Sequence, residues 1–250
     1  MTYGFERIGD DKWDDPFECG PAVFWRPKKY GDRFIVATYG WPDATVKLLS
    51  SKDGRNWTVE STILEKETGG NETDLWIEGD KIIAFSRREN PKGEYDMLIS
   101  VFNPSKNKWK TTRTGRTIHA PCVFSVRDKL FISGRYCVYS HDEFAVLTKE
   151  FGTFGKGGPE AEKIDPARVE HYHHGLHTGI FLLDGKRPRL IMELLSAGDS
   201  SYTGVVRYER EYVIIDYTMH EYYRPICRPG DWETPCDIYM SRIRFKNFKE

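Results

Sequence analysis

Residues 71–88, NETDLWIEGDKIIAFSRR, carry a carboxylate, Glu72, at one end and two guanidinium groups, Arg87 and Arg88, at the other. A carboxylate can take a proton, and a guanidinium can hold an anionic group through paired, charge-assisted hydrogen bonds. The residues between them read as two short strands: Leu75 and Ile77 alternate toward a core, Glu78-Gly79-Asp80 turns, and 82–85 runs apolar. An antiparallel hairpin brings the start of its first strand and the end of its second to one edge. Glu72 and Arg87 are therefore expected to face one pocket. Arg88, next along the strand, is expected to face solvent on the opposite side. The plainer reading of Glu72 and Arg87 is a cross-strand ion pair.

Two other groups of residues could do chemistry. The run His171-Tyr172-His173-His174-Gly175-Leu176-His177 has imidazoles spaced to bind a transition metal or to move a proton, or it is a histidine-rich polar loop. His220-Glu221 sits at a predicted strand end, where His220 is a candidate proton donor. Pro225 follows closely and no second histidine comes four residues later, so the pair is not a zinc-protease motif.

The elements that must hold these residues recur. Asp32-Arg33-Phe34, Asp80-Lys81-Ile82 and Asp128-Lys129-Leu130 each open a strand of the same shape, at steps of 80 − 32 = 48 and 128 − 80 = 48. A fourth copy, 202–208 followed by 211–217, has Glu211 at its expected turn. Two more strands follow the first pairs: 45–49 and 58–63 around Trp57, then 97–102 and 110–112 around Trp109. Four strands per repeat make the blade of a β-propeller. The expected fold is therefore all-β, a single propeller domain over 1–250 with four recognisable four-stranded blades. Residues 136–177 interrupt the third blade, which resumes at 178–183 and 189–195. Within that insertion 143–151 reads as strand or helix and 161–171 as a short helix. The fourth blade ends with 237–245, and the N-terminal residues 3–8 are expected to add its outer strand and close the ring.

Composition narrows the classes. The 14% aromatic content favours strands over helices. A net charge of -1 without a basic run argues against a nucleic-acid partner. No run approaches the roughly 18 apolar residues of a membrane-spanning helix, so no membrane partner is expected. Five cysteines, odd in number and without CxxC spacing, argue against a disulfide scaffold or a zinc site and for a reducing compartment. The first residues lack the pattern of a signal peptide, which makes the cytoplasm the default expectation.

Ser51-Lys52-Asp53-Gly54-Arg55-Asn56-Trp57 resembles the Asp-box, or bacterial neuraminidase repeat, of sialidase-like propellers. Physically it is a turn in which Asp53 bonds backbone amides, Gly54 takes positive φ and Trp57 packs between strands. It is one residue shorter between Asp and Trp than the usual motif, and the second copy keeps only Trp109. Three further stretches resemble the same superfamily: Asn71-Glu72-Thr73 through Arg87-Arg88; His119-Ala120-Pro121 through Gly134-Arg135; and Gly198-Asp199-Ser200-Ser201-Tyr202-Thr203-Gly204 with Asp216-Tyr217-Thr218-Met219-His220-Glu221 and Asp237-Ile238-Tyr239. The resemblance covers roughly residues 20–245. Sialidases of this kind have six blades, so the match begins where a third blade would start.

The resemblance implies a glycan-processing propeller, a sialidase-like glycoside hydrolase acting on an acidic sugar. Tyr202 matches the family's neutral nucleophile, which a negatively charged substrate does not repel, and Glu72 its activating base. Arg87 and Arg135 match two of the arginines that hold the substrate carboxylate. Asp199, His220 and Glu221 complete the implied substrate-binding set. The family's acid and its first arginine fall in the early blades; Asp14, Asp15 and Arg26 are substitutes by residue type only, and His220 is a rival acid. No organic cofactor or metal is implied. The alternatives are a non-catalytic propeller that binds glycan or protein, with aromatics such as Trp41 lining a groove, or an inactive partial copy of a longer enzyme. An unclosed ring would lead to a homo-oligomer.

Overall fold

The computed structural model describes residues 1–90, 92–151, 167, 171, 174–220 and 236–245. The chain is all-β, with its strands in a four-bladed β-propeller arrangement. It divides into two compact units, residues 1–91 with 98–113 and residues 92–97 with 114–250, each holding two blades.

In the first unit, β1 (Thr2–Gly4) pairs with β4 (Phe17–Gly20), and β2 (Arg7–Gly9) pairs with β3 (Lys12–Trp13). The first blade has β5 (Val23–Phe24) and β6 (Lys28–Tyr30) both on β7 (Arg33–Tyr39), then β8 (Val46–Ser51) and β9 (Thr58–Leu64). The second blade is β10 (Gly70–Glu78), β11 (Lys81–Arg88), β12 (Leu98–Asn103) and β13 (Lys108–Arg113). The two sheets bury Ile35, Val46, Leu48, Leu75, Ile82 and Leu98 in one cluster. Alternation supplies these residues, because every second side chain of an inner strand faces the neighbouring sheet.

In the second unit, the third blade is β14 (His119–Val126), β15 (Lys129–Cys137), β16 (Leu176–Asp184) and β17 (Arg187–Glu193). Between β15 and β16 runs the expected insertion, and its residues 143–151 prove helical within α1 (His141–Phe151). The Ser140 hydroxyl caps the helix by accepting from Glu143 N at 3.2 Å. Phe144 and Leu147, one turn apart, are buried, Phe144 in a cluster with Tyr95 and Leu176. The helix expected over 161–171 falls almost wholly outside the described residues. The fourth blade is β18 (Ser200–Tyr208), β19 (Glu211–Thr218) and β20 (Asp237–Ile243). Phe124, Phe131, Ile180, Leu182, Ile214 and Ile243 form the core of this unit.

Three expectations are corrected. Residues 3–8 do not extend the fourth blade: Thr2–Gly4 pairs with Phe17–Gly20, and among the described residues the fourth sheet has three strands. Glu211 is not at a turn; it opens β19 opposite Tyr208, and Glu209-Arg210 form the turn. Arg88 is buried, with Nε donating to Thr68 O at 3.2 Å, because the short helical turn Lys66–Thr68 covers the sheet face that Arg88 points to.

The blade hairpins share one turn geometry. Each has two turn residues, and the first has positive φ: Gly31 (61°), Gly79 (58°), Arg127 (56°) and Glu209 (53°). Glycine takes this conformation freely, whereas Arg127 and Glu209 bear its steric cost.

Candidate functional site

Counting from the closing pair of each hairpin reveals two recurring slots. The closing pairs are Tyr30–Arg33, Glu78–Lys81, Val126–Lys129 and Tyr208–Glu211. Six residues before them stand Phe24, Glu72, Ala120 and Tyr202; six after them stand Tyr39, Arg87, Arg135 and Tyr217. The two catalytic expectations thus fill one slot, and the two arginines fill the other. In blades two to four the register of the inner strands shifts near the first slot, between Gly70 and Thr73, His119 and Cys122, and Ser201 and Gly204. Such a bulge re-aims side chains at a strand end.

In the first unit, Arg87 Nη1 donates to Glu72 Oε2 at 3.0 Å and Nη2 to Glu89 Oε1 at 2.5 Å. Asn71 links the pieces: its side-chain amide donates to Glu89 Oε2 at 3.0 Å, and its carbonyl oxygen accepts from Glu72 N at 2.7 Å. Glu72 is buried and Arg87 nearly so, with 5% and 15% of their side chains exposed. The expected juxtaposition of Glu72 and Arg87 is therefore present, as a cross-strand ion pair. Burial works against the charge on Arg87, yet Glu89 and Glu72 together hold its pKa above the ordinary value. Two carboxylates around one guanidinium leave this trio with one net negative charge. Burial, then the charge of Glu72, raises the Tyr39 phenol in the same slot as Arg87.

In the second unit, Arg135 Nη1 donates to Asp199 Oδ1 at 2.5 Å, and the Tyr217 hydroxyl donates to the same oxygen at 2.8 Å. Burial first, and the adjacent Asp199 carboxylate second, raise the Tyr217 phenol, which keeps it a neutral donor. The Tyr202 ring stands edge-on to Tyr217 with centroids 5.5 Å apart, and it is 47% exposed. Its backbone has φ 44° and that of Ser201 has φ 114°, two consecutive non-glycine residues in a conformation that L-residues rarely adopt. Arg135, Asp199 and Tyr202 are thus brought together, with Tyr217 between the last two.

His220 lies just past β19; its Nδ1 is 3.2 Å from Thr218 Oγ1 and its ring rests 4.9 Å from that of Tyr239. Glu221 lies outside the described residues. Glu72 and Arg87 belong to the first unit, and Arg135, Asp199, Tyr202 and His220 to the second.

Two of the substitutes by type have partners within the first unit. Asp14 is 3.6 Å from Arg55, and the Arg26 guanidinium lies over the Trp25 ring at 5.5 Å. Trp41 is half-buried, its Nε1 donating to Thr38 and its face covered by Lys47 at 4.5 Å. His171 stacks on Tyr139 at 4.4 Å and lies 3.4 Å from Glu143, while His177 Nε2 meets His174 O at 2.9 Å. Tyr172 and His173 lie outside the described residues, and among those described no cluster of three ligating side chains is present.

The turn that resembles an Asp-box folds as its residue types require. Asp53 Oδ1 accepts from Arg55 N at 2.9 Å and Asn56 N at 2.8 Å, and Gly54 has φ 74°. Trp57 donates to Gly54 O at 2.9 Å and meets Phe24 edge-on. These bonds, that to Asn56 N foremost, pull the Asp53 carboxyl well below the usual carboxylate range.

Sequence reasoning missed Glu89, Asn71 and Tyr217 as members of these clusters, and missed Asp216, which adjoins Tyr217 in β19. The slot count would have found Tyr217, since 39, 87 and 135 step by 48 and 217 closes the series from the fourth hairpin. Asp216 is 3% exposed, and neither carboxylate oxygen has a partner among the described residues. Burial raises its pKa to about 6.

No protein-family model and no curated protein matches the sequence. Solved structures do match in fold. The Bacteroides ovatus xyloglucan PUL GH43B aligns at TM-score 0.53 and 10% identity, over 89% of this chain and 38% of that one. An endosialidase of phage phi92 aligns at TM-score 0.52 and 11% identity, over 85% of this chain and 34% of its own. A levansucrase from Bacillus subtilis aligns at TM-score 0.51 and 12% identity, over 88% and 68%. At such identity the likeness shows the fold, a β-propeller shared with glycoside hydrolases. The chain spans little more than a third of the length of the first two.

Proposed function

We infer that this chain is a glycan-processing propeller of the glycoside hydrolase type, with Tyr202 as the residue that meets the sugar. The observation that carries this reading is the conformation of Tyr202. A half-exposed tyrosine is held at φ 44° against a half-buried Tyr217–Asp199–Arg135 network. Strained backbone persists where the surroundings over-determine it, and it concentrates at functional sites. An aromatic face flanked by a carboxylate and a guanidinium matches what a sugar ring offers, an apolar face edged by hydroxyls. Two of the solved neighbours bear names of glycan-processing enzymes, an endosialidase and a levansucrase.

The finer reading keeps Tyr202 as nucleophile, Glu72 as its base, and Arg87 and Arg135 as holders of an acidic sugar. That sugar would have to displace the carboxylates already on both arginines. A second reading, non-catalytic binding of a neutral glycan, is favoured by this saturation.

Hydrolysis of fluorogenic sialosides and of fluorogenic neutral glycosides by wild type, Tyr202→Phe and Glu72→Gln separates these readings. Turnover of the sialoside that both substitutions abolish supports the sialidase-like reading. Turnover restricted to neutral glycosides moves the substrate to a neutral sugar. No turnover, with glycan-array binding that Tyr202→Ala removes, leaves the binding reading. Neither turnover nor binding overturns the assignment.

A further inference from the structure

Asp216 stands in β19 between the pairs Ile215–Gly204 and Tyr217–Ser201. The β18 residues in that interval are Tyr202 and Thr203, two residues against one, so Asp216 lies directly across from the bulge that presents Tyr202. We propose that Asp216 is a positioning residue for Tyr202: its protonated form is compatible with the bulge that turns Tyr202 outward, and its ionisation redraws that bulge. This inference rests on the functional reading of Tyr202 only for its consequence, not for the coupling itself.

Both Asp216 oxygens are buried without a partner, and so is the Ser201 hydroxyl, among the described residues. A neutral carboxyl tolerates this state at modest cost, whereas an ionised one demands donors or water. The donors nearest in register are the Ser201 hydroxyl and the backbone N–H groups that a bulge leaves out of the ladder. Reaching them requires Ser201 and Tyr202 to leave φ 114° and φ 44°, conformations that already carry strain. The proposal thus gives the bulge a second arrangement, reached when Asp216 loses its proton.

Several groups face Asp216 from the neighbouring strands. Across β18 are Ser201, Tyr202 and Thr203; directly opposite on β20 is Tyr239, with the His220 ring against it; two residues along β19 is Thr218. Among the described residues no charged side chain acts on the carboxyl, and burial alone lifts it, to about 6.

The test needs no ligand. Carboxyl and amide NMR shifts, with amide exchange of residues 201–204, are followed through the ionisation of Asp216 in the full-length chain. In the wild type, exchange should rise at least about tenfold beyond its intrinsic base catalysis as Asp216 ionises, a range that local opening covers. The Asp216 carboxyl and the Tyr202 amide should shift with one midpoint, and Asp216→Asn should hold the low-pH pattern throughout. An equal rise in Asp216→Asn, or separate midpoints for Asp216 and Tyr202, overturns the proposal. If Asp216→Asn does not fold, the wild-type midpoints decide alone. Coupled midpoints in a chain that neither hydrolyses nor binds any glycan would overturn the functional reading and leave this one standing.

Discussion

The Tyr217 hydroxyl donates to Asp199 Oδ1 at 2.8 Å, and that same oxygen accepts from Arg135 at 2.5 Å. One carboxylate thus neutralises the arginine and orients the tyrosine that backs Tyr202. Replacing Asp199 by Asn removes the charge and keeps the shape. The Tyr217 phenol, raised first by burial and then by Asp199, should come down in Asp199→Asn and still stay above its ordinary value. Ultraviolet absorbance titration of the tyrosines in both proteins checks this. An unchanged high-pH phenol would show that burial alone accounts for it.

The cluster around Arg87 predicts an asymmetry. Glu72→Gln leaves Arg87 its second carboxylate, Glu89, and should cost about 1–2 kcal/mol. Arg87→Met takes away the guanidinium that the buried Glu72 and Glu89 share, and should cost about 3–5 kcal/mol. Urea unfolding of the two variants measures the difference. Equal losses would mean that the pair is worth no more than the packing of its side chains.

Asp216 sets the sign of a pH dependence. Its folded value, about 6, lies above the ordinary 3.8, so the folded chain holds the proton more tightly than the unfolded one. The resulting contribution to stability is complete below about pH 4 and is lost as pH rises through about 6; the gap corresponds to about 2–3 kcal/mol. Asp216→Asn should therefore match the wild type below about pH 4 and exceed it by up to that amount above neutrality. Thermal unfolding across this range reads it directly, and a variant weaker than wild type at neutral pH would contradict it.

The shared turn predicts opposite effects of opposite substitutions. At Gly79, φ is 58° and an added Cβ would meet nothing within 4 Å, so Gly79→Ala carries conformational strain alone and should cost about 1 kcal/mol. Glu209 occupies the same turn position at φ 53° and is exposed; Glu209→Gly should stabilise by up to about 1 kcal/mol, less what glycine gains in the unfolded chain. Denaturant midpoints at constant slope check both.

A period of 48 between Asp32, Asp80 and Asp128, with strands alternating around each, was enough for the all-β class and the blades. Those signals are local: turn residues act on their own backbone, and alternation follows from the two faces of a strand. Glu72 and Arg87 were legible as neighbours for the same reason, because a two-residue turn leaves one register. Arg88 was misread because a covering turn, Lys66–Thr68, lies 20 residues away along the chain. The outer strand expected from residues 3–8 failed because pairing partners of an edge strand are chosen by contacts distant in sequence, and Phe17–Gly20 was available to Thr2–Gly4.

The sequence by itself thus determined the hairpins, their spacing and the residue types at their ends. Tertiary structure alone decided what those end residues do. It put carboxylates on both arginines, set Tyr217 behind Tyr202, bent the backbone at Ser201 and Tyr202 to positive φ, and buried Asp216 without a partner among the described residues. The physical reason is that charge pairing, desolvation and strain depend on which groups meet across strands, and residue type with spacing says little about which groups those will be.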